Sequence, residues 1–472
     1  MRRRPKVFGR LVDTARMRAR GLVLAFVFFA SACSSSGDQI DSGEGARPLG
    51  EPTGAIDALL DDDADTTDRT SAIDDGSAPG VIAFNAETEG DPVDAETEGD
   101  PVDVETEGDP VDDASLEETN EAEPETELSL LTDELIEFVE AARGYTFETR
   151  PKIEILGDVA FGDSWQELVS EDAQKNRVDY TNYTDIYRAM GVIEGDRTLE
   201  EIWTRFGGAG VLGYYDPETG GIKLRAGELT TFTKTVLVHE LVHALEDQIF
   251  GLERNEYDDR DDEIGWTFSA LSEGSARYIE SRYRETLSAA ERDDELATRR
   301  ALPRTVSLTE FTTSFLELQF GRYRYGESFV EALWNSGQHE IDAAFVDPPS
   351  TSELILDPTA YLGGQQPDGG VGAPPADGPT FESGVWGEAA WAAVLADTFD
   401  RGEALEFANG WGGDRFVAWR TGGLACVRIH VEADTPAELD EYAFALEGWA
   451  RETNGREVFY PTADLVRVTA CA

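Results

Sequence analysis

The sequence predicts an α+β protein: a mostly helical domain with a small sheet, then a C-terminal α+β subdomain, the whole preceded by a disordered acidic tether. Three observations predict this. Helical apolar periodicity dominates from about residue 128 to 404. Strand-like runs are confined to a few short segments and to residues 405–472. Residues 34–127 show no sustained apolar periodicity at all.

The chain begins with a targeting segment, residues 1–33, to be left out of the fold. A basic stretch (Arg2 to Arg20) leads into the apolar run Leu22–Ala30. That run is too short for a membrane-spanning helix, which takes about 20 apolar residues. Ala30-Ser31-Ala32 then precede Cys33, and Ser34-Ser35-Ser36 follow it. This order has the form of a bacterial lipoprotein signal with acylation at Cys33. The expected location is therefore extracytoplasmic, lipid-anchored to the cell membrane.

The formal net charge is −57. Residues 1–33 carry +7, residues 34–130 carry −29, and residues 131–472 carry the remaining −35. Acidity on this scale excludes nucleic acid as a partner, because phosphate contacts need Lys and Arg. Self-repulsion favours a soluble monomer. Cys426 and Cys471 remain after Cys33, an even number in an oxidising compartment, and predict one disulfide.

Within the tether a nine-residue unit recurs: AETEGDPVD at 86–94 and 95–103, then VETEGDPVD at 104–112. Each copy has too little apolar surface to offset chain entropy. About 95 such residues give an end-to-end distance on the order of 50–60 Å, longer when like charges repel. The implied role is a spacer between membrane and folded domain.

Leu130, Leu131, Leu135, Ile136, Phe138 and Val139 fit an amphipathic helix, and Lys152–Leu156 a strand. Helices are expected at 185–192 and 199–206. Val211–Tyr215 and Ile222–Arg225 flank a Pro- and Gly-containing turn and predict a hairpin. Helices follow at 232–250, from 267 into the 280s, and at 308–319, 326–346 and 386–399. The C-terminal part reads as strands at 416–419, 425–431 and 465–470, with a helix at 436–451.

The chemistry-bearing run is VLVHELVHALEDQ, Val236–Gln248. His239 and His243 are four apart, so on a helix they stand one above the other. Two imidazoles so placed suit one tetrahedral zinc. Glu240 leans to the same side and can take a proton from a water beside the metal, the role of general base. The flanking residues are almost all apolar, and ionisable groups in such a helix need a compensating partner. The chain has only four histidines, and two fall in this motif.

A catalytic zinc takes a third protein ligand. Glu273, in ALSEGSARYIE on the next strong helix, is the candidate. Glu246, Asp247 and the acids of 256–263 are rivals. Ser272, Gly274, Ser275 and Ala276 are small and let two helices approach closely. Glu280, seven residues on, shares a face with Glu273 and is a candidate to back the site. Tyr214, Tyr215, Tyr278, Tyr323, Tyr325, Tyr361, His339, His430 and Arg415 are possible oxyanion donors without diagnostic spacing.

HELVHALEDQ with the later SEGSA resembles the glutamate-zincin peptidases, the HExxH…E class that includes thermolysin. It is more similar still to bacterial secreted and lipid-anchored metallopeptidases that carry an HELxHALQDQ helix and a later EGxA helix. Their further segments look like 325–358 and the GWGGDRF of 410–416. The resemblance implies a zincin-like fold, zinc on His239, His243 and Glu273, Glu240 as general base, and a protein or peptide substrate. Two departures stand out. Glu246 occupies a position where those relatives carry Gln. Arg277 occupies one where thermolysin-like enzymes have a carboxylate, so the histidine-orienting carboxylate must come from elsewhere. The expected function is thus a membrane-anchored zinc metallopeptidase acting through a zinc-activated water. A non-catalytic envelope scaffold with the same fold is the alternative.

Overall fold

The computed structural model describes residues 26–29 and 127–472, apart from 227–228, 255–256, 258–262, 302–305 and 366–369. Cys33 and the repeats of the tether lie outside the described residues. The architecture is α+β and mostly helical, with two small sheets. No helix among the described residues is long and apolar enough to cross a membrane.

Helix α1 (Glu127–Arg143) buries Leu135 and Val139, as its periodicity predicts. The first sheet holds β1 (Phe26–Phe29), β2 (Lys152–Leu156), β3 (Val211–Asp216) and β4 (Gly221–Arg225), in the order β1-β3-β4-β2. β3 and β4 form the expected hairpin, and Gly220 supplies its left-handed residue at φ 65°. β2 runs parallel to β4. β1 pairs antiparallel with the other edge of β3, Phe26 opposite Tyr215 and Phe29 opposite Val211.

Between β2 and β3 lie α2 (Asp158–Lys175), α3 (Arg177–Met190) and α4 (Leu199–Gly210). The expected helix at 185–192 is the end of α3, and α2 carries a single stripe of Phe161, Trp165, Val169 and Ala173. Thr198 caps α4 in a reciprocal capping box with Glu201, worth about 1 kcal/mol.

Helix α5 (Thr231–Phe250) carries the histidines and is capped by Thr230, which accepts from the Thr233 amide. It is buried nearly all round: Val236, Leu237, Val238, Leu241, Val242, Ala244 and Leu245 are at most 2% exposed. A helix apolar on every side belongs in a core, and each such Val or Leu contributes about 1.5–3 kcal/mol. Helix α6 (Ile264–Thr286) packs on α5, and α7 (Ala289–Ala301) follows.

The expected break between 319 and 326 does not exist. Helix α8 runs unbroken over Thr313–Ser336, and the chain breaks instead at Gly337, φ 139°, before α9 (Gln338–Val346). The glycine inside α8 has a packing reason. A Cβ on Gly326 would lie 2.0 Å from the Ala270 carbonyl oxygen of α6, and one on Gly274 would lie 2.1 Å from the Gly326 carbonyl carbon. The two helices cross backbone to backbone, as the small residues around Glu273 predict.

Short helices α10 (Ser352–Leu356) and α11 (Pro358–Leu362) lead to β5 (Thr380–Gly384), α12 (Glu388–Leu395) and α13 (Arg401–Ala408). The second sheet, ordered β5-β6-β7-β9-β8, adds β6 (Trp411–Thr421), β7 (Leu424–Ala433), β8 (Arg456–Thr462) and β9 (Leu465–Cys471), with α14 (Pro436–Glu452) between β7 and β8. Cys426 and Cys471 face each other on β7 and β9 and are disulfide-bonded. The segment GWGGDRF centres on Asp414. Its buried carboxylate accepts from the Trp386 and Gly387 amides at 2.6 and 3.0 Å, and from the Trp391 and Trp411 indoles at 2.9 Å each. One carboxylate thereby ties β6 to the start of α12.

Candidate metal centre

The i, i+4 spacing on α5 directs both imidazoles toward α6, where Glu273 meets them. His239 and His243 are fully buried and Glu273 is 3% exposed. The separations are 3.1 Å between the two Nε2 atoms, 3.2 Å from His239 Nε2 to Glu273 Oε2, and 3.5 Å from His243 Nε2 to the same oxygen. Tetrahedral bonds of 2.0–2.1 Å would place ligand atoms about 3.3 Å apart. Three donor atoms of the right kinds therefore stand at the spacing one zinc requires, and among the described residues they are the cluster so arranged.

The partners behind the ligands fix their orientation. His239 Nδ1 lies 3.2 Å from Glu280 Oε2, and an N–H donated there leaves the Nε2 lone pair facing the cluster. Glu280 is held in turn by Arg284 at 2.7 Å and Arg277 at 3.2 Å. It is thus the orienting carboxylate that the residue at 277 does not provide. Ser272 Oγ stands 3.3 Å from His243 Nδ1. Tyr323, on α8, donates its phenol to Glu273 Oε1 at 3.0 Å.

The electrostatics are those of a buried cationic site. Burial pushes the Glu273 carboxyl up, but the bonds and charges of His239 and His243 outweigh it and hold it at about 2. Burial also acts on Glu280, where Arg277, Arg284 and His239 bring it down to about 2. Burial works to lower His239, yet Glu273, Glu280 and Glu240 raise it to about 9. His243 is lowered to about 4, burial outweighing Glu273.

Glu240 is fully buried, and neither of its carboxylate oxygens reaches a hydrogen-bond partner. Burial raises it well above the usual carboxylate range, with Glu273 and Glu280 adding to this and the His239 charge and the Tyr215 amide acting against it. It lies directly beneath β3: a Cβ on Gly213 would come within 3.0 Å of its Oε1. An orphaned buried carboxylate beside two histidines and a glutamate fits a metal and an attendant water.

The rival ligands are occupied elsewhere. Glu246 Oε1 pairs with Arg143 at 2.8 Å and accepts from Ser275. Asp247 accepts from Tyr215 and from the Leu252 amide. Glu263 accepts from Ser352, while 258–262 lie outside the described residues. Of the possible oxyanion donors, Tyr323 is the one brought to the ligands. Tyr214 bonds Ser164, His339 faces Glu340 at the surface, His430 meets the Gly372 carbonyl, and Arg415 lies on β6 opposite His430. The roles of Ser272 and Gly213 had no signal in the sequence, since neither stands at a motif spacing.

Comparison of the chain with protein-family models, with curated proteins and with solved structures finds no match.

Proposed function

We propose that this chain is a zinc metallopeptidase of the glutamate-zincin type, exported and held at the membrane through lipid on Cys33. The observation that carries the reading is the convergence of His239, His243 and Glu273 beside the orphaned carboxylate of Glu240. When bound, zinc would supply Lewis-acid polarisation of the scissile carbonyl and acidify a water. Glu240 would serve as the proton carrier, accepting from the attacking water and donating to the leaving amine. Burial disfavours its charged form until a cation stands beside it.

The outer edge of β3 positions the substrate. It lies over Glu240, and in the uncut chain residues 26–29 pair along it; removal of the signal ahead of Cys33 would free that edge. Main-chain hydrogen bonds to a sheet edge accept an extended peptide with little regard to its side chains.

A second reading has its own support. His239, Glu240 and His243 are all fully buried, which suits an envelope scaffold that keeps the metal without turnover. The two separate on one experiment. The zinc-loaded chain should cleave a mixed peptide library, lose that activity to a chelator and regain it with zinc. Glu240→Gln should retain about one zinc per chain while turnover falls by roughly 10²–10⁴-fold. A folded chain that takes up no zinc overturns the metal site. A zinc-loaded chain without hydrolysis leaves the scaffold.

A further inference from the structure

We propose that Tyr323 is the positioning residue of the third metal ligand: its phenol engages Oε1 of Glu273 so that Oε2 alone faces the two imidazoles. This deepens the metallopeptidase reading and rests on it.

The geometry starts from the helix crossing. Gly274 is the neighbour of Glu273 on α6, and Gly326 is three residues beyond Tyr323 on α8. At this crossing each glycine Cβ position falls within 2.1 Å of the other helix's backbone. No side chain fits there, so the helices approach as closely as backbones allow. That approach brings a tyrosine of α8 within hydrogen-bond reach of a glutamate of α6. The Tyr323 ring stacks on His239 with centroids 6.2 Å apart and planes 25° apart, which restrains the phenol from swinging away.

The two oxygens of Glu273 therefore have different work. Oε2 lies 3.2 and 3.5 Å from the histidine Nε2 atoms, and Oε1 accepts from Tyr323 at 3.0 Å. A carboxylate can ligate with one oxygen or two. Two would fill the position that a catalytic zinc keeps open for water and substrate. With Oε1 committed to the phenol, Glu273 ligates through one oxygen and the position stays open.

The test uses the full chain loaded with zinc or, for spectroscopy, with cobalt(II). Tyr323→Phe should lower zinc affinity by about 10–100-fold in chelator competition. It should also weaken the visible cobalt band, as the coordination number rises, with the far-UV circular dichroism unchanged. In a Glu273→Ala background the same substitution should cost no further affinity. An unchanged band and affinity in Tyr323→Phe, or the same loss without Glu273, overturns the inference. A second measurement needs no Tyr323 variant. The zinc-loaded minus metal-free infrared difference spectrum, with the Glu273 bands assigned through Glu273→Gln, should show the wide carboxylate splitting of one-oxygen ligation, and a narrow splitting overturns it. A wild-type chain that takes up no zinc overturns both this inference and the reading beneath it. Normal zinc uptake with an indifferent Tyr323→Phe overturns this inference alone.

Discussion

Two buried carboxylates, Glu240 on the metal helix and Asp414 in the C-terminal sheet, sit in opposite circumstances. Asp414 accepts from two main-chain amides and two indoles. Glu240 reaches no partner with either oxygen. Burial raises the carboxyl in both; at Asp414 four donors oppose it, whereas at Glu240 only the His239 charge and the Tyr215 amide do, and acidic neighbours add to it. The difference separates a carboxylate that holds the fold together from one that the fold leaves with little hydrogen bonding. Burial alone does not distinguish them; the count of satisfied oxygens does.

The largest test of that distinction lies close to the metal. Arg143, the last residue of α1, and Glu246, on the histidine helix α5, are both fully buried and paired at 2.8 Å. If satisfaction and not location marks the structural groups, Arg143→Met should destabilise the fold by about 3–5 kcal/mol in denaturant unfolding. The double variant with Glu246→Leu should recover most of that loss. Equal stability of single and double variants would break the comparison. Next in size, Asp414→Asn turns an acceptor-only group into one that must point a donor at other donors. It should cost about 2–3 kcal/mol while leaving zinc content unchanged.

Glu240→Gln should move stability the other way. Without metal, the folded state must hold a proton at Glu240 that the unfolded chain has released near pH 7; Gln removes that cost and should raise the thermal midpoint by a few degrees. A lowered midpoint would show that Glu240 has a structural partner after all. The last test is read against pH and concerns Glu388, which is 3% exposed. Burial first, then Glu353, Glu263 and other acids, raise it from 4.5 to about 9. The folded state therefore holds a proton that the unfolded chain has released. Stability is full below about pH 4.5 and is lost as pH rises toward 9, by at most about 1.4 kcal/mol per pH unit. Glu388→Gln should flatten that slope in pH-dependent unfolding.

Much of this was legible in the sequence where the signal is local. His239 and His243 are four residues apart, and helix geometry does the rest. The β3–β4 hairpin carries its turn chemistry with it. Helix α2 was not legible, because its apolar stripe is one residue wide in an otherwise charged segment. The contact of Tyr323 with Glu273 spans 50 residues and that of Ser272 with His243 spans 29. Such pairings depend on how α6 crosses α8 and packs on α5, for which no spacing rule exists. In GWGGDRF the arginine drew notice as a chemical group, yet the node is the aspartate before it. Its four donors come from 386, 387, 391 and 411, so only folding assembles them.

The position of β9 has a consequence for how this chain is made. It is the last strand in sequence, yet it lies inside the second sheet, between β7 and β8. Its Val466, Val468 and Ala470 complete a core shared with helices as early as α2. A ribosome releases residues in order, so that core cannot close until β9 has emerged. Until then the chain is a set of unfinished pieces with long-range contacts still to be made. Closure of a core that starts at Phe161 therefore waits until Val466, Val468 and Ala470 have emerged.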